Sequence, residues 1–474
     1  MKAKQLTWWI LTTATFLGLL LPVMVKEGMF LDGVLYASVS RNLAIGVGSF
    51  WFPEFDKLGK AGLASFHEHP PLYFAMQSVF FRVFGDGYFV EKLFSLMAAV
   101  ITGLGIILFW KRINKKRPEY LSYSWIPVLL WIIIPIVFYS YQHNLIEGTM
   151  SFFVLFAVYF PWKGLSDKRN INFHFILGGF FVFLASFTKG VPGLFPLAFP
   201  LLWWLVKRDI SFLKMIRLSL IMLSIPVIIF GIMITVSQDA FTSLSWYVEK
   251  RLIGRIETSP TVTKRYHILI QWLIKMMPVF FITIVIVSID RFKSFQKVKD
   301  QSYKEDMVIF FILGIAGVVP LMLTMIQKSF YFLGALPFFA LAFALFLVPA
   351  ISGWIEKLPG RINKLLFVVF VLALAGILFF TITEIGKPGK DADIIAEVHS
   401  TGGLVPANTM IEIPASMSKE WTLRTYFIRY YNITLDYSGN KHTYILLKKD
   451  SIPDEEGVRK ISSELKLFQL YKRF

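Results

Sequence analysis

The chain has 474 residues, 55% of them hydrophobic, 17% aromatic and 17% charged, with a mean hydropathy of +0.60; this excludes a soluble multidomain protein, and a lipid bilayer accounts for the difference. It contains no cysteine, which excludes disulfides and thiolate metal sites. The net charge of +18 falls in separate clusters between apolar runs, which fits loops that hold a membrane topology rather than a nucleic-acid surface.

An apolar run of about 20 residues crosses a bilayer core as a helix. Lys2 and Lys4 precede the first run, 8–25. No small-residue cleavage pattern follows it, so it is read as a retained span rather than a signal peptide. Further spans are expected at 88–110, 123–141, 145–161, 172–188, 191–206, 216–237, 268–289, 307–326, 330–350 and 363–382. The fold class is therefore an all-α polytopic membrane protein of about eleven transmembrane helices. With the N-terminus in the cytoplasm, the lysine and arginine clusters at 111–117, 163–169, 207–217, 291–304 and 357–364 all lie inside. Segment 26–87, the basic loop 238–267 and the tail from 384 then lie outside.

Two stretches of the first outer segment carry a one-sided apolar pattern and are expected as amphipathic interfacial helices. Leu31, Leu35, Val39 and Leu43 recur every four residues, and Leu72, Met76, Val79, Phe80 and Val83 form a second stripe. Treating 70–84 as interfacial rather than spanning keeps Lys111 to Arg117 inside. The tail changes character. Strand-like runs Met410–Ile413, His442–Leu447 and Leu467–Tyr471, punctuated by Pro388, Gly389, Gly402, Gly403, Pro406 and Pro414, predict a small α/β domain over 384–474 behind a transmembrane domain over 1–383.

Polar groups at membrane depth are costly, so their placement carries information. On this topology Asp32, Glu68, His69, His143, Glu147, Lys189, His267 and Lys328 all reach the outer side. Each also has a structural reading. Asp32 could cap the helix that follows it. Glu68-His69-Pro70-Pro71 could be a helix-start signal, since Pro70 extends the residue before it and Pro71 opens a helix. Glu147 would suit a helix N-terminus through the helix dipole. His143 could be a satisfied interfacial histidine or a ligand. Lys189, at a Gly/Pro turn between two apolar runs, could snorkel to the interface or bind an anion. Arg251, Arg255 and His267 belong to the one strongly basic outer loop, which could meet phosphate or pair with Asp239, Glu249 and Glu257.

Four stretches together resemble family thirty-nine of the GT-C membrane glycosyltransferases, which includes bacterial aminoarabinose transferases acting on lipid A and the protein O-mannosyltransferases. They are Asp32-Gly33-Val34-Leu35-Tyr36-Ala37 with Ser40-Arg41-Asn42-Leu43, Phe66 to Leu72 around Glu68-His69-Pro70-Pro71, Leu184 to Pro192 around Thr188-Lys189-Gly190, and Lys328-Ser329-Phe330-Tyr331 running to Leu336-Pro337. Their order covers roughly residues 5–345. The resemblance implies Asp32 as catalytic base, with Glu68 and Glu147 as further site acids. It implies His69, Lys189, His267 and Tyr331 as lipid-phosphate or donor-binding residues, and Arg251 and Arg255 of the basic loop join them. The family often has two acids in a row after the first span, whereas this chain has Asp32-Gly33, which weakens the case for a divalent metal there; a divalent metal stays possible but is not indicated by the sequence, and no cofactor is certain.

The implied partners are a polyprenyl-phosphate-linked sugar donor, a lipid, glycan or protein acceptor, and membrane lipid, with no nucleic acid. The implied activity is sugar transfer to a hydroxyl or phosphate acceptor on the extracytoplasmic face of a bacterial inner membrane, with inversion at the anomeric carbon. The alternatives are a lipid-linked glycan flippase or polymerase, and a non-enzymatic membrane scaffold. Acids confined to one side argue against transport, because carriers place polar groups near mid-membrane.

Overall fold

The computed structural model describes residues 2–59, 65–254, 260–453, 456–461 and 465–474. Among these, eight helices are long and apolar enough to cross a membrane: Lys4–Met24, Val90–Ile113, Ile171–Lys189, Phe212–Val236, His267–Asp290, Gln301–Leu323, Ser329–Lys357 and Gly360–Thr383. The pair Trp125–Ile132 and Pro135–Gln142 counts as a ninth, bent by 75°. Pro135 lacks the N–H that would continue the ladder and disfavours helical geometry in the residue before it, which puts the break there. The two remaining expected spans are helical but different in kind. Ile146–Asp167 is buried along most of its length and carries Glu147, Thr149 and Ser151 in its first two turns. The segment after Lys189 is an eight-residue 3-10 helix, Val191–Ala198, followed by the short α-helix Phe199–Lys207. Pro192, Pro196 and Pro200 remove backbone donors at four-residue intervals, and a full-length α-helix cannot form.

The chain divides into two compact units. The first holds Met1–Val23, Ser95–Gln142 and Ile146–Glu384, and so most of the apolar helices. Its polar ends are tied by ion pairs. Arg117 lies 2.7 Å from Asp300 and 2.9 Å from Asp306, and Lys207 lies 2.7 Å from the other oxygen of Asp306.

The second unit holds Met24–Phe94, His143–Leu145 and Ile385–Phe474. Its sheet has five strands: β1 Met410–Glu412, β2 Thr434–Asp436, β3 Tyr444–Lys448, β4 Val458–Lys460 and β5 Phe468–Arg473. The order is β2-β1-β3-β5-β4, with β1 parallel to β2 and β3, and β5 antiparallel to β3 and β4. Helices Ala392–Gly402 and Trp421–Tyr431 contribute Ile395, Val398 and Phe427 to the core, alongside Ile411, Leu446 and Leu470 of the sheet. Met29 and Val34, which follow the first apolar helix, are part of the same core.

Residues 26–87 thus fold with the tail. The Leu31–Ala44 helix forms where its periodicity places it, but it is buried on more than its apolar stripe. Its polar residues are accommodated by hydrogen bonds: Ser38 and Ser40 donate to the carbonyls of Val34 and Tyr36, and Asn42 donates to that of Phe55. Leu72–Phe84 is the second expected helix of this segment and packs beside it.

Arg429 is the charge that locks this unit. It is 0% exposed, 2.8 Å from Glu91, itself 0% exposed, and 2.7 Å from Asp86. A further bond from Arg429 reaches the carbonyl of Gly87. Removing one partner of such a pair leaves the other buried and uncompensated, at a cost of about 3–5 kcal/mol. Arg429→Met is expected to lower the thermal unfolding midpoint of the purified protein, and adding Glu91→Gln to recover part of the loss. An unchanged midpoint in the single variant would show that the pair does not hold the unit.

Candidate functional site

Asp32 lies in the first turn of the Leu31–Ala44 helix, and Phe30 occupies the cap position without a side-chain cap bond. Asp32 is therefore not the cap that its sequence position allows. Its carboxylate benefits from the helix N-terminus. It is part-exposed and makes no ion pair or side-chain hydrogen bond among the described residues. Tyr36, one turn on, lies on the same face. The Tyr36 hydroxyl is 3.1 Å from Nε2 of His69, with the rings edge to face at 5.5 Å. The two proline-flanked and helix-start signals of the sequence are in this way joined in one unit, with Glu68 beside His69 in the chain.

What fixes this turn is the segment His143–Leu145. The backbone N–H of Phe30 donates to Nδ1 of His143 at 3.1 Å, and Asn144 donates to the carbonyl of Gly33 at 3.2 Å. Asn144 also accepts from Tyr73 at 2.9 Å and Gln77 at 2.7 Å, which ties in the Leu72–Phe84 helix. Gly33 is required: a Cβ there would stand 2.0 Å from the carbonyl oxygen of His143. A second acid after Asp32 has no room, which is the physical reason for Asp32-Gly33 where the resembling family often has two acids. His143 is neither a lone ligand nor a surface residue. Burial, with repulsion from Lys92 and Lys390, lowers its pKa from 6.5 to about 4, so it serves as a neutral acceptor.

In the first unit, Lys189 and Glu147 meet 42 residues apart in the chain. The ammonium is 2.6 Å from the Glu147 carboxylate, with side chains 5% and 0% exposed. Lys189 therefore does not snorkel. The Tyr331 ring lies 5.0 Å from the same ammonium. Gly190, at φ +85°, ends the Ile171–Lys189 helix, and a Cβ there would run into the Tyr247 hydroxyl at 1.8 Å. Tyr247 donates to the Lys189 carbonyl at 3.3 Å. Five residues beyond Lys189, Leu194 and Phe195 line an apolar groove of about 490 Å³ with Ile312, Ile315 and Val319.

Arg251 sits on a wide helical turn, Tyr247–Ile253. Arg255 lies outside the described residues. His267 opens the His267–Asp290 helix, 3.2 Å from Gln271. Lys328 is exposed. Sequence reasoning missed Tyr36, Asn144, Tyr247 and Gln327. Gln327 accepts from the N–H of Ile268 at 2.8 Å and donates to the carbonyl of Arg265 at 2.7 Å, pinning the start of that helix. Nothing in sequence spacing marks Gln327 or Asn144, because the bonds that tie them to Ile268 and Gly33 reach more than fifty residues away.

No family model matches the chain, and no curated protein matches it. Its fold is similar to that of ArnT from Cupriavidus metallidurans, both apo and bound to undecaprenyl phosphate. The TM-scores are 0.65 and 0.64 at 13% identity, over 98% of this chain and 97% of that one. It is also similar to the archaeal oligosaccharyltransferase AglB from Archaeoglobus fulgidus, solved with an inhibitory peptide and a dolichol-phosphate. There the TM-score is 0.52 at 12% identity, over 93% of this chain and 69% of that one. These likenesses show that the chain has the GT-C fold.

The His143 geometry sets a pH dependence. Between about pH 4 and 6.5 the unfolded state binds the extra proton and the folded state does not. Stability from this residue is complete above about pH 6.5 and falls as pH is lowered toward 4, by up to about 3 kcal/mol. His143→Asn keeps an acceptor for Phe30 but cannot titrate. Its unfolding midpoint should fall less than that of the native protein over this window, and parallel curves would remove His143 from the account of Asp32 positioning.

Proposed function

We propose that this chain is a membrane glycosyltransferase of GT-C family thirty-nine that moves a sugar from a polyprenyl-phosphate carrier to a hydroxyl or phosphate acceptor on the extracytoplasmic face. The observation that carries the reading is Asp32: a carboxylate at a helix start, part-exposed, with no ion partner among the described residues. A group so placed is available as a base. ArnT, whose fold this chain shares, is known bound to undecaprenyl phosphate, and that chemistry matches a buried cation followed by an apolar groove.

Asp32 takes the proton of the acceptor hydroxyl as its oxygen attacks the anomeric carbon. The new C–O bond forms as the bond from that carbon to the phosphate oxygen breaks, and the electron pair leaves on polyprenyl phosphate. A single displacement inverts the anomeric centre. The charge developing on the phosphate is stabilised by cations, so no acid is needed for departure. Lys189 is the first of these, since an ammonium has three donors and one suffices for Glu147. His69, Arg251, Arg255, His267 and Tyr331 are assigned to the same donor side. Glu68 orients sugar or acceptor hydroxyls. Glu147 is fully buried against Lys189, which favours a positioning role over direct contact with substrate. The isoprenoid chain lies along Leu194 and Phe195. The protein is placed in a bacterial inner membrane with its N-terminus in the cytoplasm and residues 384–474 outside.

The test is transfer of label from radiolabelled polyprenyl-phosphate sugars into a membrane acceptor extract. The native protein should transfer. Asp32→Asn should lose at least about a hundredfold, the lower range for a positioned general base, with an unchanged unfolding midpoint. Transfer equal in the two proteins would rule out Asp32 as base, and no transfer from any such donor would rule out the enzyme.

A further inference from the structure

We propose that the first unit carries a second lipid site, which binds the phosphate headgroup of an anionic membrane lipid toward the C-terminal end of the Leu336–Lys357 helix, whose other end follows Tyr331. The site is a polar cavity of about 400 Å³. Three separate stretches build it. The turn after Val90–Ile113 supplies Arg117 and Tyr120, the segment before Gln301–Val318 supplies Lys297, Lys299 and Asp300, and Pro349 closes it from Leu336–Lys357.

The charges are not equivalent. Arg117 is spent, being held by Asp300 at 2.7 Å and Asp306 at 2.9 Å and stacked 4.9 Å from the Tyr303 ring. Asp300 is spent on Arg117 in the same way. Lys297 and Lys299 have no ion partner among the described residues, and the one remaining acid of the lining is Glu119. Two lysines on a loop anchored through Asp300 to the buried Arg117 are left to meet an anion.

An apolar cleft one turn away identifies the anion as a lipid. Met307 and Phe311 follow Tyr303 at four-residue steps, and Phe346 precedes Pro349 by three, so they continue the same helix faces. With Phe343 they line a cleft of about 240 Å³ between the same two helices. A polar mouth with free cations above an apolar cleft fits a headgroup and its acyl chain, whereas free phosphate has no use for the cleft. Basic pockets between spans are a recurrent form of headgroup site. This site is separate from the proposed donor site. Pro349 lies thirteen residues beyond Leu336, about 20 Å along the helix from the turn that carries Tyr331.

Native mass spectrometry of the detergent-purified full chain tests this with phosphatidylglycerol and phosphatidylcholine. The native protein should retain phosphatidylglycerol in preference. Lys297→Gln with Lys299→Gln should weaken that retention about thirtyfold at low salt, on a scale of about 1 kcal/mol for each basic residue near an anionic headgroup. Phe343→Trp, which fills the cleft, should weaken it as well. The control Lys111→Gln with Lys116→Gln removes two exposed lysines outside the cavity and should change nothing. Equal retention by the native protein and the Lys297/Lys299 variant would overturn the site. So would an equal loss in the control, which would mean general surface charge. Displacement of the lipid by inorganic phosphate, but not by chloride at the same ionic strength, would replace the lipid with a free-phosphate ligand and overturn the proposal.

Discussion

A charge placed among hydrocarbon side chains is tolerated only when a partner offsets its desolvation, and this demand organises the chain. In the first unit Glu147 and Lys189 meet at 2.6 Å, and Asp306 is shared by Arg117 and Lys207. In the second, Arg429 is enclosed by Glu91 and Asp86. Each pair fixes two segments distant in sequence. Against that background Asp32 stands out, because it has the helix N-terminus but no ion partner among the described residues. The proposed chemistry rests on this contrast between charges used for architecture and one left for reaction.

The position of Asp32 comes from backbone packing. The approach of the His143 carbonyl to Gly33 leaves no space for a side chain, and the bonds from Phe30 and to Gly33 hold the turn from both ends. The residue at 33 is thus chosen by sterics, and on the proposed reading the residue at 32 is chosen by chemistry. Lys189 is arranged on the same logic. Gly190 supplies the positive φ that ends the helix and the space into which Tyr247 fits.

Much of the fold was legible because hydropathy is a local property. Each of the eleven apolar stretches has a helical counterpart, and three tail strands lie where alternation and β-branching place them. Prolines explain the differences. Pro135 bends one span by 75°, and Pro192, Pro196 and Pro200 turn another into a 3-10 entry and a short helix. The strands Thr434–Asp436 and Val458–Lys460 have three residues each and, unlike Met410–Glu412 with its Met410-Ile411-Glu412-Ile413 run, sit in stretches where charged and polar residues interrupt any apolar run. The candidate acids and cations were visible as polar residues out of place, yet their partners were not. Glu147 and Lys189 each read as a solitary charge, because a pairing across 42 residues leaves no trace in spacing. The full burial of Ser38, Ser40 and Asn42 was hidden for the same reason, since an amphipathic stripe does not report what covers its polar face.

On the proposed reading, Glu147 and Tyr331 present the Lys189 ammonium to a lipid phosphate whose chain follows Leu194 and Phe195. The direct measurement is a structure of the protein determined with polyprenyl phosphate bound. Phosphate oxygens within hydrogen-bonding distance of the Lys189 ammonium, with the isoprenoid chain in that groove, are the expected result. A phosphate held elsewhere, with Lys189 still closed on Glu147 and the groove empty, would contradict it.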